Sequence, residues 1–187
     1  MKYLVVGLGN IGAEYASTRH NIGFRVLDAL AEASNISFTT VRYGAMATLK
    51  HRGRTILLLK PSTYMNLSGK AVRYWLEQER VPRENLLIIS DDIALPFGTF
   101  RMRKNGSEGG HNGLKSITEL AGDNQYARMR IGAGGDFPRG HQVDYVLGEF
   151  SDEENKAMPE RLKLFGDAVL SFASIGADRT MNTYNGK

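Results

Sequence analysis

VVGLGNIGAEYASTRHN, residues 5–21, is the stretch on which the fold turns. Within it Gly7-Leu8-Gly9-Asn10-Ile11-Gly12 spells G-x-G-x-x-G, directly after the apolar run Tyr3–Val6. A dinucleotide-binding loop opens a helix with its third glycine, so that the helix N-terminus faces a pyrophosphate. Here helical periodicity starts only near Asn21, and Gly23 weakens the first turn. The next strand of such a fold should end in an acid for the ribose hydroxyls, but Ile36–Val41 runs into Arg42. That Arg could serve a 2′-phosphate only if the helix began on time. The glycines are therefore expected to let the backbone turn sharply and bring Asn10 and His20 to a strand end.

Outward from this stretch, short β-rich apolar runs recur at Tyr3–Val6, Ile36–Val41, Met46–Lys50, Thr55–Leu59, Leu86–Ser90, Thr99–Arg103, Tyr126–Ala133 and, more weakly, Gln142–Leu147. Helical period links Ile22, Val26, Ala29, Leu30 and Ala33; then Val72, Trp75, Leu76 and Glu79 ahead of Pro82; then Leu114, Ile117 and Leu120–Ala121. Asp152 to Ile175 reads as one or two further helices, and the polar end from Met181 to Lys187 is left open between disorder and RNA contact. Strands interleaved with helices predict a single α/β domain. The close spacing from Ile36 to Leu59 predicts antiparallel strands, hence a mixed sheet, with function in the loops at strand ends.

A chain of 187 residues with 42% apolar residues can bury one ordinary core. No apolar run is long enough to span a membrane, and no secretory signal is expected. The chain has no cysteine, which excludes disulfides, thiolate metal sites and a cysteine nucleophile and fits the cytosol. The four histidines, at 20, 51, 111 and 141, form no paired metal spacing. The net charge of +4 points only weakly to polyanions, so the placement of the charge matters more.

Four groups of residues could carry chemistry. His20, in the polar loop Thr18–Asn21, can take a proton from water, although a surface or capping histidine would look the same. Asp91-Asp92 follows the strand Leu86–Ser90, where one carboxylate could orient a histidine or simply cap a turn. Asn66, in Pro61–Gly69, could cap a helix or hold a carbonyl through its amide. The loop Asn105–Gly113 could expose N–H groups to an anion. At strand period Arg101 with Arg103, and Arg128 with Arg130, each share a face, as a solvated edge or as a phosphate clamp.

In this order, the blocks GLGNIGAEYASTRHNIG, PSTYMNLSG, SDDIALPFG and GSEGGHNGLKSI, followed by RMRIGAG and DYVLGEF, resemble the bacterial peptidyl-tRNA hydrolase family over about residues 3 to 150. The resemblance implies a mixed twisted β-sheet enclosed by α-helices. It implies cleavage of the ester joining a peptide to the 3′ ribose of tRNA by a cytoplasmic enzyme, expected to be a monomer, with no metal or organic cofactor and no membrane. Carried over by position, His20 is the base, Asp91 orients it, and Asn10 helps distinguish N-blocked from free aminoacyl ends. Tyr15, Tyr64, Met65, Asn66, His111 and Asn112 line the substrate site, and Arg103 and Arg130 meet tRNA phosphate. Three positions depart from the family pattern: Ile11 where Pro is usual, Ala94 where Asp is common, and Gly135-Asp136 where a basic residue is usual. None of these is the base. The rival readings are a nucleotide-dependent oxidoreductase or ligase, and a non-catalytic RNA-binding module.

Overall fold

The computed structural model describes residues 1–187. Its strands are β1 (Lys2–Gly7), β2 (Thr39–Val41), β3 (Gly44–His51), β4 (Arg54–Pro61), β5 (Leu86–Asp92), β6 (Phe100–Arg103) and β7 (Ala127–Gly132). They form one sheet in the order β2-β3-β4-β1-β5-β7-β6. β1 pairs in parallel with β4 and β5, and β5 with β7. β2–β3, β3–β4 and β6–β7 pair antiparallel, so the sheet is mixed as the close strand spacing predicts.

Both faces of the sheet are covered, which is why β1 and β5 read as unbroken apolar runs. On one face Tyr3 and Val5 pack with Leu27 and Leu30 of α1 (Ile22–Ala33) and with Phe165, Val169 and Phe172 of α5 (Asp152–Ile175). On the other, Leu4 and Val6 pack with Ala71 and Val72 of α2 (Ser68–Gln78) and with Leu114 and Ile117 of α3 (Asn112–Ala121).

The G-x-G-x-x-G stretch does not open a helix. Two short 3-10 turns, Ala13–Tyr15 and Arg19–Asn21, come before α1. The glycines permit close backbone approach instead. A Cβ on Gly23 would lie 2.5 Å from Leu8 N and 2.7 Å from Ile89 O. A Cβ on Gly7 would run into Gly23 O, so the first turn of α1 sits directly on the end of β1.

Several expectations need correction. Gln142–Leu147 is not a strand: Gln142–Val146 forms the short helix α4. Val143, Tyr145 and Leu147 alternate as in a strand, but Val143, Val146 and Leu147 also fall at i, i+3 and i+4, and that helical set is the one turned towards a cavity. Strand pairing begins at Thr39 rather than Ile36. Asp152–Ile175 is one 24-residue helix, started by a capping box between Ser151 and Glu154. The C-terminal end is ordered too: α6 (Ala177–Tyr184) follows, and the Asn185 amide accepts from Met102 N–H at 2.8 Å and donates to Met102 C=O at 3.0 Å, closing part of the β6 edge.

Candidate active site

The loops after β1 and β5 and the start of α3 converge at the carboxyl ends of the parallel strands. After β1, Asn10 is held by a residue that sequence reasoning missed. Asn21, 1% exposed, accepts from Asn10 N–H at 2.8 Å and donates to Asn10 C=O at 2.9 Å. An amide at the very start of an apolar helix was its only signal. His20 precedes Asn21 in a turn that is itself tied down, with Arg19 N–H donating to Gly148 C=O at 3.0 Å. The Arg19 guanidinium also donates to Tyr145 C=O at 3.0 Å and lies 4.1 Å from the Tyr145 ring centroid.

Asp91 stands near the end of β5, between β1 and β7, with 3% of its side chain exposed. Its Oδ1 accepts two hydrogen bonds, from His20 Nδ1 at 2.8 Å and from His111 Nε2 at 2.9 Å. The two imidazole rings lie 4.9 Å apart. Burial opposes the Asp91 charge, but attraction and hydrogen bonding from His111, then from His20, outweigh it and hold the carboxyl well below the usual carboxylate range. His111 is also the N-cap of α3, with Nδ1 accepting from Gly113 N–H at 3.0 Å and Leu114 N–H at 3.4 Å.

These three side chains bring ligand-type atoms together as a metal site would. The bonding pattern disfavours that use. For His111 to offer Nε2 to a cation, its proton would have to move to Nδ1, against two backbone N–H donors. The residues fit a hydrogen-bonded triad better than a metal centre.

A cavity opens over the triad, lined by Asn10, His20, Met65, Asp91, His111, Asn112 and Arg130 among the expected residues. Asp92, Glu108 and the α4 residues Gln142, Val143 and Val146 line it as well and were not anticipated. A neighbouring cavity, sharing Asn10 and Leu147, takes in Tyr15 and Tyr64. Asn66 is not brought in: it is exposed on the turn Met65–Leu67 and lines neither cavity. Arg103 lies outside too, exposed on β6.

The four β6–β7 arginines do share one sheet face, since Arg101 is opposite Arg130 and Arg103 opposite Arg128. They do not share one role. Arg128 is fully buried and donates to the carbonyls of Gly106, Ser107, Asn124 and Tyr126, so it ties down the loop ahead of His111. Arg130 donates to Ser107 C=O and lies 3.8 Å from Asp92, at the cavity wall.

Residues 4–187 match the family model described as peptidyl-tRNA hydrolase. The peptidyl-tRNA hydrolase of Bacteroides fragilis is 61% identical over 187 residues, all of both chains. That of Cytophaga hutchinsonii is 57% identical, again over the whole of both. The crystal structure of peptidyl-tRNA hydrolase from Acinetobacter baumannii superposes with a TM-score of 0.92 at 32% identity, covering 98% of this chain and 94% of that one. With the match running essentially from end to end, this chain belongs to the peptidyl-tRNA hydrolase family.

Proposed function

We propose that the protein hydrolyses the ester between a peptide and the 3′ ribose of tRNA, with His20 as general base. The observation that carries this reading is the Asp91–His20 bond of 2.8 Å on the floor of an amide-lined cavity. With Nδ1 engaged by the carboxylate, His20 presents Nε2 to solvent. A water O–H bond breaks, its proton goes to Nε2, and the oxygen bonds to the ester carbonyl carbon. The tetrahedral intermediate then expels the 3′ oxygen, which takes the proton back from His20. Asp91 stabilises the imidazolium between these steps. Asn10 and Asn112 offer amide groups to the carbonyl and to the peptide end. The exposed position of Asn66 favours those two over it as carbonyl partners.

Arg101 and Arg103, exposed on β6, with Arg130 at the cavity wall, form a basic approach for tRNA phosphate. The aromatic cavity at Tyr15 and Tyr64 suits the single-stranded 3′ end. No helix is long and apolar enough to cross a membrane. We infer a cytoplasmic enzyme acting as a monomer and as a single domain, needing no metal for the steps above.

The test is hydrolysis of N-acetyl-aminoacyl-tRNA by wild type beside His20→Ala. Loss of the general base should lower kcat by roughly 10²- to 10⁴-fold while tRNA binding survives. A variant within a few-fold of wild type would remove His20 from this role. Binding without hydrolysis by the wild type would favour the RNA-binding rival.

A further inference from the structure

We propose that His111 is a positioning residue: acting through Asp91, it fixes which nitrogen of His20 carries the proton, and it takes its own orientation from the N-terminus of α3. The inference rests on the assignment of His20 as base.

Backbone N–H groups can only donate. His111 Nδ1 faces two of them, Gly113 at 3.0 Å and Leu114 at 3.4 Å, so this nitrogen must accept. The ring proton therefore lies on Nε2, which donates to Asp91 Oδ1 at 2.9 Å. The ionised carboxylate has no proton to give, so His20 Nδ1 donates to the same oxygen at 2.8 Å. That leaves His20 Nε2 with a lone pair for water. The helix end fixes the polarity of the His111 bond, and that N–H on Oδ1 helps hold Asp91 in the ionised, accepting form that makes His20 Nδ1 the donor.

Capping alone does not call for imidazole. Asn, Asp and Ser are the favoured N-caps and would satisfy α3 with a smaller side chain. What the ring adds is a second nitrogen on its far side, long enough to reach across to β5. It also keeps the transferred proton in place. His111 cannot take a second proton at Nδ1 without losing both α3 bonds, so the proton that His20 removes from water stays on His20 until the ribose oxygen leaves.

Two variants separate the cap from the link to Asp91. His111→Asn keeps a cap for α3 but is too short to reach Asp91. His111→Gln can reach Asp91 with an N–H but caps poorly. Nitrogen-15 spectra of the His20 ring report its tautomer, and single-turnover kinetics report chemistry. His111→Asn should keep its Tm within a few degrees, lose the uniform Nδ1–H form of His20, and fall in kcat by about tenfold or more with KM little changed, as an imidazole in the wrong tautomer does. His111→Gln should lower Tm yet recover the Nδ1–H signature and part of kcat. Wild-type kcat and wild-type His20 nitrogen shifts in His111→Asn would overturn the proposal. If that variant does not fold, a His111→Gln protein without the Nδ1–H signature overturns it instead. His20→Ala measured alongside keeps the two ideas apart: an active His20→Ala removes the base assignment, whereas an inactive one beside an unaffected His111→Asn removes only the role of His111.

Discussion

Asp91 is the residue on which the site's electrostatics concentrate. It is a buried carboxylate whose partners are two imidazoles, while the nearby cation Arg130 lies beside Asp92 instead. Its pKa in the folded chain is depressed. A depressed carboxyl stabilises the fold at every pH above its unfolded value, near 4, and that contribution disappears only as pH falls through the folded value. The stability difference between wild type and Asp91→Asn, measured by urea unfolding, should therefore not shrink between about pH 8 and pH 5, and should narrow only in stronger acid. Shrinkage between those pH values would mean that Asp91 takes up a proton there. Turnover should fall in the same variant, because an amide keeps the acceptor but cannot balance imidazolium charge. That His20, Asp91, Asn10 and Asn112 meet at one cavity was legible from the order of their motifs and not from any one residue, since each alone has a capping or surface reading. Asn21 was not, since its work is a pair of bonds to backbone eleven residues away, which no local pattern encodes.

At the scale of elements, the decisive contact is α1 against the end of β1. Gly23 touches Leu8 and Ile89 backbone, and His20 lies just ahead of it. A methyl group there would push α1 off the sheet and carry His20 away from Asp91. Gly23→Ala should cost about 1–3 kcal/mol, the range for overpacking. That corresponds to roughly 2–12 °C in Tm for a chain of this size. It should also reduce kcat, and a variant with unchanged Tm and kcat would show that the approach is looser than drawn. The sequence carried this feature only as a refusal, because a helix that begins late after G-x-G-x-x-G is not a nucleotide loop. Central strands were legible since burial on both faces makes them continuously apolar. α4 was not, because Val143, Tyr145, Val146 and Leu147 offer both periods over so short a span, and only the cavity faced by Val143, Val146 and Leu147 decides between them.

For the whole molecule, the question is how a net charge of only +4 meets a polyanion as large as tRNA. On the proposed reading, placement provides the answer. Arginines on one face of β6–β7 lead to the cavity, but burial divides them into two classes that their spacing alone could not separate. Arg103 is exposed; in the proposed role it neutralises a phosphate and releases a counterion, so Arg103→Ala should lower the slope of log K against log salt by about one and weaken binding at low salt. Arg128 is sealed beneath the loop at Gly106 and Ser107, where no phosphate can reach it. Arg128→Met should leave the slope unchanged and instead slow turnover, because the loop that ends at His111 loses the carbonyl bonds that hold it. Filter binding of N-acetyl-aminoacyl-tRNA across a salt series, paired with single-turnover rates, tests both variants together. Equal slopes for wild type and Arg103→Ala would remove Arg103 from the tRNA path. A lowered slope for Arg128→Met would show that the loop opens far enough for its buried charge to take part in binding.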